Sequence, residues 1–305
     1  MISPSPLLLT TTGWPDYALL DSGEGSKLER YGRFTVVRPE PQCLWPRRLH
    51  GGEWELADAV FDPAAQREDE DAGRWRFRSP PPEHFPLDWR DVRFDARFTS
   101  FRHLAFFPEQ AANWAWLDET VRAMADTGED GGAPRVLNLF GYTGVASLVM
   151  ARAGAQVTHV DASKKSVGWA RENAALSGLA DKPIRWLTED ARRWVERETR
   201  RGARYEGIVL DPPKYGRGPG GEVWRLHEDL PQLLALCAGL LSERAGFLLV
   251  NAYAERISGV ALAHALAAHA PEGGAIDWGE LALAEEGADP RAIGLSFFAR
   301  WSLLP

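Results

Sequence analysis

The chain has 305 residues, of which 45% are hydrophobic and 26% are charged, and its formal net charge is −8. This length is typical of about two domains, and the composition is typical of a globular protein and excludes wholesale disorder. Two cysteines are too few for a disulfide scaffold. No apolar run approaches the roughly 18 residues that would span a bilayer, and the first twenty residues lack the basic stretch of a signal peptide. We therefore expect a cytoplasmic protein.

The charge balance argues against a protein that coats nucleic acid by bulk charge, although it leaves room for a local basic patch. The basic residues are 30 arginines and 5 lysines. Arginine is suited to bidentate contact with phosphate, but the same skew is a common result of GC-rich codon usage. The composition alone therefore does not decide whether nucleic acid is a partner.

Short candidate strands fill residues 12–60 and are separated by glycine and proline, which is typical of a small β-rich unit. Residues 63–88 contain an acidic run and a proline triplet and favour a loop or linker, with one strand in RWRFR. We therefore predict a small β-rich N-terminal domain over residues 1–95 and a second domain over residues 96–305.

From residue 96 the pattern alternates between strands and helices. After a helix in residues 107–128, the strands are RVLNLF, QVTHVD, IRWLTED, YEGIVLDPP and GFLLVNAY, and helices are predicted over 143–153, 163–177, 190–199, 231–243 and 257–269. This alternation predicts βαβ units and a parallel sheet. ELALAEE and LSFFARWSL follow each other with no helix between them, so we expect a hairpin that makes one edge antiparallel. The predicted fold class is α/β, with a seven-stranded, mostly parallel sheet.

The candidate site lies at the ends of these strands. A glycine-bearing turn, Gly141–Gly144, follows the first strand and would let the backbone approach a ligand closely. Asp161 ends the next strand, where an acid can accept hydrogen bonds from both ribose hydroxyls. Asp190 ends the third strand, where a side chain can meet an adenine edge, and Asp211 ends the fourth.

Three acids at the carboxyl ends of successive strands indicate the chemistry of the ligand, because open α/β sheets bind ligands at that edge. A diphosphate would be repelled by these acids, and Asp161 opposes a 2′-phosphate. A cofactor that combines a ribose, an adenine and a positive centre fits better. S-adenosylmethionine has all three: its adenosine supplies the adenine and the ribose, and its sulfonium and ammonium groups are positively charged.

On these residues the chain resembles the class I S-adenosylmethionine-dependent methyltransferases. It is most similar to the bacterial large-subunit ribosomal RNA methyltransferase group that bears a DPPK motif. The resemblance covers about residues 98–305 and rests on HLAFFPEQAANWAWL, VLNLFGYTGVASL, HVDASKKSVGWARENAALSGL, TEDARRWV and VLDPPKYGRGPGGEVW. It implies a Rossmann-like fold, S-adenosylmethionine as cofactor and ribosomal RNA as partner.

The resemblance also implies the residues that contact the cofactor. The family's glycine-rich loop keeps only its final glycine here and has asparagine at its acidic position; Asp161 matches the ribose acid and Asp190 the adenine acid. Gln110 falls in the segment that helps to cover the cofactor. The implied set is Gln110, Asn138, Phe140, Tyr142, Thr143, Gly144, Asp161, Ala162, Asp190 and Ala191.

Asp211, Pro212, Pro213 and Lys214 fall on the family's catalytic tetrad, an Asn or Asp followed by two prolines and an aromatic residue. The resemblance implies that the carboxylate of Asp211 and the carbonyl of Pro212 accept hydrogen bonds from the target base, while the prolines stiffen the loop. Lys214 replaces the aromatic residue, so a contact with phosphate or a carbonyl takes the place of base stacking. Arg217, in the glycine-rich loop that follows, is expected to reach a phosphate.

The cysteines bear on the acceptor atom, since methylation of cytosine C5 needs a cysteine that adds to the ring. Neither strand four nor strand five ends near one: Cys237 lies inside a predicted helix and Cys43 in the β-rich unit. A base nitrogen in RNA is therefore the predicted acceptor. We expect no metal, because His103 and His227 have no neighbouring ligands in sequence.

Several alternatives stay open at this point. The acceptor could be a small molecule or a protein, which the acidic net charge favours. A nicotinamide-dependent oxidoreductase is opposed by DPPK and by the missing third glycine, and a non-catalytic RNA-binding module is opposed by the intact acids. The arginines of helix 190–204 fit either a solvated face or an RNA-contacting one, and Trp224 fits either core packing or base stacking.

Overall fold

The computed structural model describes residues 1–63, 72–126, 132–244, 246–253 and 257–303. The chain divides into two compact units. The larger comprises Met1–Leu9, Ala112–Leu281 and Leu295–Pro305, and the smaller comprises Thr10–Ala111 and Ala282–Gly294. These units differ from the predicted division at residue 95, because the first nine residues belong to the larger unit and a late hairpin connection belongs to the smaller. That residues 1–95 act as a domain of their own stays a prediction.

The strands and helices are numbered in chain order. The strands are β1 (Leu7–Thr11), β2 (Tyr17–Gly23), β3 (Ser26–Tyr31), β4 (Phe34–Pro39), β5 (Ala59–Pro63), β6 (Gly73–Phe77), β7 (Pro86–Trp89), β8 (Val92–Asp95), β9 (Arg135–Leu139), β10 (Gln156–Asp161), β11 (Ile184–Thr188), β12 (Gly207–Leu210), β13 (Tyr215–Arg217), β14 (Val223–Arg225), β15 (Phe247–Tyr253), β16 (Ala275–Ala284) and β17 (Ala292–Ser302). The helices are α1 (Gly51–Glu55), α2 (Ala111–Asp126), α3 (Val145–Arg152), α4 (Lys164–Leu176), α5 (Ala191–Arg200), α6 (Leu226–Gly239) and α7 (Gly259–Ala267), with a 3₁₀ turn at Pro108–Gln110.

The main sheet has the strand order β1-β16-β17-β15-β12-β9-β10-β11. The pairs β9–β10, β10–β11, β9–β12 and β12–β15 are parallel, and β15–β17 is antiparallel. The predicted mostly parallel sheet with a C-terminal antiparallel hairpin is thus confirmed. The sheet has eight strands and not seven, because β1 adds an edge strand beside β16. The backbone of Gly279 runs so close to β1 that a Cβ there would lie 2.6 Å from Leu7 N.

The helices that flank the candidate site match their predicted spans within two residues, namely α3, α4 and α5. Helix α6 differs, since it begins at Leu226 and carries Pro231 inside it. A proline commonly marks the first residue of a helix, which explains the predicted start at 231. The stretch before it is a hairpin, β13 with β14, where the sequence predicts a loop. The helix begins directly after this hairpin, where Asp229 Oδ2 accepts a hydrogen bond from Arg225 N at 2.7 Å.

Both faces of the main sheet are covered by apolar side chains. Ile208 and Leu210 of β12 belong to one core cluster, with residues of α5, α6 and α7. Val209, which points to the opposite face because strand residues alternate, belongs to another, with residues of α2 and α3. Since β12 is buried on both faces, polar groups can meet a ligand only at its ends, and its carboxyl end leads into Asp211.

The smaller unit contains a five-stranded sheet, β2-β3-β4-β5-β6, and the pair β7–β8, which is consistent with the β-rich N-terminal region expected from the sequence. The connection between β16 and β17 adds Arg291 to this unit. Its Nη2 donates to Asp21 Oδ1 and to Glu285 Oε1, both at 2.7 Å. Both acids are buried, so Arg291 neutralises two carboxylates that have little access to water.

We expect Arg291→Met to destabilise the folded chain by about 3–5 kcal/mol, because removing one partner leaves buried charge uncompensated. The matched control is Arg76→Met, which breaks the exposed pair with Asp62 and should change stability little, because solvent screens exposed ion pairs. Urea unfolding of the full chain measures both. Equal decreases in the free energy of unfolding of the two variants would contradict the proposal that Arg291 neutralises the buried carboxylates of Asp21 and Glu285.

Candidate active site at the carboxyl ends of the sheet

Three strands end side by side at the candidate site. In the register of the sheet, Leu139 of β9 pairs with Val160 of β10 and with Leu210 of β12. The residues that follow these strands therefore meet at one edge. The amide of Asp211 donates to Leu139 O at 3.4 Å, which ties the segment after β12 to the turn after β9.

The turn after β9, residues 140–144, has an unusual backbone. Phe140 and Tyr142 have φ values of 56° and 48°, and Gly144 has 85°. This left-handed region costs a non-glycine residue roughly 1–2 kcal/mol. The turn is held by backbone bonds from Gly141 N to Val160 O and from Gly144 N to Gly141 O, and by the carboxylate of the next strand. Such strain is typical of functional loops.

Two glycines of this turn are required by what lies beneath them. A Cβ on Gly144 would lie 2.8 Å from Ala170 Cβ in α4, and a Cβ on Gly141 would lie 2.5 Å from His159 Nδ1 in β10. Neither approach is possible for a larger residue. This close packing holds the backbone of the turn against α4 and β10. A ligand would therefore approach the turn from the side that faces away from them.

A buried polar chain supports the turn from below. Asn138 Nδ2 donates to Ser147 Oγ at 2.8 Å, and Ser147 Oγ lies 3.0 Å from His159 Nδ1. Burial lowers the pKa of His159 to about 3, so the ring is neutral. The sequence-predicted cofactor residue Asn138 is thus buried, with its amide engaged by α3. Sequence reasoning missed Ser147 and His159; the available signal was that His159 shares the face of Asp161, two residues away on β10.

Asp161 organises the site through both of its oxygens. Oδ2 accepts from Tyr142 N at 2.9 Å and Oδ1 accepts from Ser163 N at 2.8 Å. Burial raises the pKa of this carboxyl, while the two backbone bonds act in the opposite direction. Each oxygen keeps a second lone pair for a further donor. Thr143 and Ala162 flank these contacts; the carbonyl of Thr143 accepts from Asn173 Nδ2 at 2.9 Å.

Asp190 stands at the beginning of α5. It is the N-cap residue, and its Oδ1 accepts from Arg193 N at 2.9 Å. An aspartate at this position stabilises the helix by itself. Burial raises its pKa, and the bond from Arg193 N opposes this. Ala191 follows as the first helical residue and is buried. The carboxylate is only partly buried, so a ligand at this edge can still reach it.

The segment from Asp211 to Lys214 is locked to the turn by a tryptophan. Trp224 of β14 is buried; its Nε1 donates to Pro213 O at 2.7 Å and its ring lies 5.0 Å from that of Phe140. The sequence left core packing and base stacking open for Trp224, and the structure shows that its ring is packed against Phe140. Lys214 is exposed, and its carbonyl accepts from Leu226 N at 3.0 Å.

The arginines near the site differ in their partners. Arg192 and Arg197 pair with Glu196 and Glu189 at 3.1 and 2.6 Å, and Arg193 pairs with Glu222. Arg217 is exposed and bonds only to Tyr215 OH, at 3.2 Å, with no carboxylate partner within the described ranges. Most cations of the α5 face are therefore neutralised locally, whereas Arg217 is available to an anion.

The remaining candidate, Gln110, lies in the 3₁₀ turn of the smaller unit and is buried. The other candidates lie in the larger unit, so the covering role of Gln110 stays a prediction. In the part of the chain that the structure describes, no group of three or more His, Cys, Asp or Glu side chains could hold a metal ion. No helix among the same residues is long and apolar enough to cross a membrane.

Comparison with known proteins places this arrangement in a family. A crystal structure of a SAM-dependent methyltransferase from Agrobacterium tumefaciens is 45% identical, superposes with a TM-score of 0.91, and is matched over 99% of this chain and 95% of that one. This chain belongs to the S-adenosylmethionine-dependent methyltransferases. No family model matches the sequence. The predicted enzyme class and cofactor are thereby confirmed, and the nicotinamide-dependent alternative is wrong.

More distant relatives share part of the chain or its fold. Ribosomal RNA large subunit methyltransferase K/L of Shewanella frigidimarina is 33% identical over 126 residues, 41% of this chain, and a second Shewanella protein of that name is 36% identical over 120 residues. This chain spans 17% of the length of each. A Streptococcus mutans protein described as a candidate SAM-dependent methyltransferase is 15% identical with a TM-score of 0.68, over 95% of this chain and 76% of its own, and shares the fold.

The edge of the sheet fits the cofactor of this family. The carboxylates of Asp161, Asp190 and Asp211 suit a ligand with two positive centres, and partial burial raises the pKa of the first two. The turn at Gly141 and Gly144, where no Cβ fits, lets the backbone come close to such a ligand.

We expect Asp161→Ala to weaken binding of S-adenosylmethionine by at least about 10-fold from a micromolar dissociation constant, roughly −8 kcal/mol. The reason is the loss of hydrogen bonds to the ribose, together with the bond that holds Tyr142 N. Isothermal titration calorimetry measures the change. Asp181→Asn, at an exposed position before β11, is the control and should bind normally. Unchanged affinity in Asp161→Ala would refute the role of Asp161.

Proposed function

We propose that the chain methylates a nitrogen on a base of RNA, with ribosomal RNA as the substrate. The observation that carries this proposal is the rigid segment from Asp211 to Lys214, which Trp224 holds against Phe140. A carboxylate and a carbonyl presented beside the cofactor turn are hydrogen-bond acceptors for the N–H groups of a base. The local likeness to proteins named as ribosomal RNA methyltransferases supports RNA as the source of that base.

The chemistry asks the protein mainly to position two reactants. When bound, S-adenosylmethionine supplies an electrophilic methyl group on a sulfonium sulfur. Asp211 and the carbonyl of Pro212 accept hydrogen bonds from the base and so direct the nitrogen lone pair towards that methyl carbon. As the methyl group would pass from sulfur to nitrogen, leaving the neutral thioether, the Asp211 carboxylate would accept the proton that the nitrogen loses. Correct orientation alone contributes roughly 7–11 kcal/mol to such reactions.

The state of the cysteines supports a nitrogen acceptor. Cys237 is fully buried in α6, and burial raises its pKa far above the usual range. Cys43 is buried in the smaller unit, where burial raises its pKa to about 11. Because the thiolate is the nucleophile, neither side chain is prepared for covalent addition to a pyrimidine ring at neutral pH.

Two exposed cations border the proposed acceptor position. Lys214 and Arg217 lie on or beside the β13–β14 hairpin, in the chain directly after the prolines. We assign them contacts with phosphates on either side of the target nucleotide. This function would place the protein in the cytoplasm, where ribosomal RNA is processed.

A second candidate is methyl transfer to a small molecule or a protein. The net charge of −8 and the local neutralisation of Arg192, Arg193 and Arg197 favour it. Mass spectrometry of nucleosides from ribosomal RNA, prepared with and without the gene, separates the two. The RNA proposal expects one N-methylated nucleoside to disappear in the deletion, and an unchanged nucleoside profile would contradict it.

We expect Asp211→Ala and Arg217→Ala to fail in different ways. Asp211→Ala should abolish single-turnover methyl transfer while RNA affinity stays within about twofold, because its bonds orient the base and not the backbone. Arg217→Ala should raise the Michaelis constant for RNA and flatten the salt dependence of binding by roughly one counterion. Cofactor affinity should stay within about twofold in Arg217→Ala.

The control for this pair is Arg171→Ala, which removes an exposed arginine from α4 and should change neither quantity. Filter binding across a salt series and single-turnover assays provide both readouts. If Arg217→Ala behaves like Arg171→Ala, Arg217 does not contact the substrate.

We expect the double variant Cys43→Ser, Cys237→Ala to keep methyl transfer largely intact. The change at Cys237 should lower the free energy of unfolding by about 1 kcal/mol, since it leaves a small cavity in a fully packed core. Transfer assays and urea unfolding measure the two effects. A covalent adduct between RNA and either sulfur, trapped on a denaturing gel, would contradict the nitrogen acceptor.

A further inference from the structure

A second concave site lies at the opposite edge of the main sheet. A cleft of about 500 Å³ opens at the amino ends of β9, β10 and β11, beside the carboxyl end of α5. Arg135, Lys182, Arg185 and Arg204 line it, together with Glu198 and Tyr205. Its volume is within the range of about 300–1,000 Å³ that is common for ligand sites, and no residue of the candidate active site lines it.

The cleft carries positive charge that the protein itself does not neutralise. Among the described residues, no carboxylate forms an ion pair with Lys182, Arg185 or Arg204. The lining acid, Glu198, is already engaged: it accepts from Tyr205 OH at 2.9 Å and from Arg201 Nη1 at 3.2 Å. Three uncompensated cations around one concavity stand out in a chain with a net charge of −8.

The contrast with the other end of α5 is informative. There, Arg192 and Arg193 are each paired with a glutamate. At the cleft, Arg185 instead has its guanidinium stacked over the buried ring of Trp194, 4.8 Å from the centroid. Stacking of this kind orients the guanidinium plane and leaves its N–H edge for an anion.

We propose that this cleft binds backbone phosphates of the RNA strand whose base enters the active site. The proposal rests on the proposed function for its choice of RNA. Along β11, Arg185 and the capping residue Asp190 are five positions apart, which is about 17 Å at the rise of a strand. β11 is the outermost strand of the sheet. Several nucleotides of single-stranded RNA can therefore lie along β11 and contact both the cleft at its amino end and the candidate active site at its carboxyl end.

The test compares two triple variants of the full chain with equal net charge. Lys182→Gln, Arg185→Gln, Arg204→Gln removes the cations of the cleft. Arg33→Gln, Arg171→Gln, Arg244→Gln removes exposed arginines elsewhere. The probe is a fluorescent single-stranded oligouridylate, and its affinity is measured by anisotropy across a salt series, with thermal unfolding recorded for each protein.

We expect the cleft variant to bind oligouridylate at least 10-fold more weakly than the control variant at low salt. The slope of log affinity against log salt should fall by about two, since each phosphate contact on a single strand contributes roughly 0.7. Affinity for S-adenosylmethionine should be equal in the two variants.

Three results would overturn the proposal. The first is equal oligouridylate affinity in both variants. The second is a lower unfolding temperature of the cleft variant with unchanged affinity, which would mean that the cations only stabilise the carboxyl end of α5. The third is loss of adenosine monophosphate binding with unchanged oligouridylate binding, which would indicate a mononucleotide site. The methyl acceptor could prove to be a small molecule while the cleft variant still binds oligouridylate more weakly than the control. In that case the proposed function would be wrong, but phosphate binding by the cleft would be supported.

Discussion

The candidate site depends on one carboxylate, that of Asp161. It accepts backbone hydrogen bonds from Tyr142 and Ser163, and so joins the turn after β9 to the beginning of α4. Without these bonds, the left-handed conformations of Phe140 and Tyr142 would have less to hold them. The same oxygens face the place where a ribose is expected, so the group that shapes the turn is also the one that would recognise the ligand.

Trp224 makes a single site out of two separate loops. Its indole donates to Pro213 O, and its ring packs against Phe140, so the segment after β12 and the turn after β9 are held at a constant distance. For a methyl transfer, in which the protein contributes mainly by orienting reactants, this rigidity bears directly on rate. The β13–β14 hairpin, which carries Trp224, therefore contacts both loops of the candidate site.

The charges of the larger unit are divided between the two ends of the sheet. Carboxylates lie at the carboxyl ends of β10, β11 and β12, where we expect the cofactor. Around the cleft at the amino ends of β9–β11 lie Lys182, Arg185 and Arg204, which have no carboxylate partner among the described residues. The chain therefore has a locally positive cleft although its net charge is negative. Our proposals assign a sulfonium to one end of the strands and a phosphate to the other, and charges separated by more than a Debye length are largely screened from each other in salt.

The sequence alone determined the alternation of strands and helices, the mostly parallel sheet, the acids at the strand ends and the family, because periodicity and motif spacing are local properties of the chain. It did not predict β1 as an eighth strand, the early beginning of α6 or the β13–β14 hairpin, since each of these depends on a partner elsewhere: β16 for the first, and the packing of Trp224 on Phe140 for the others. Asn138 stays a predicted cofactor residue, and the structure adds that it lies beneath the turn with Ser147 and His159. Only the tertiary structure decided that, because burial and the meeting of distant side chains are set by the packing of helices on the sheet and not by the order of residues along it.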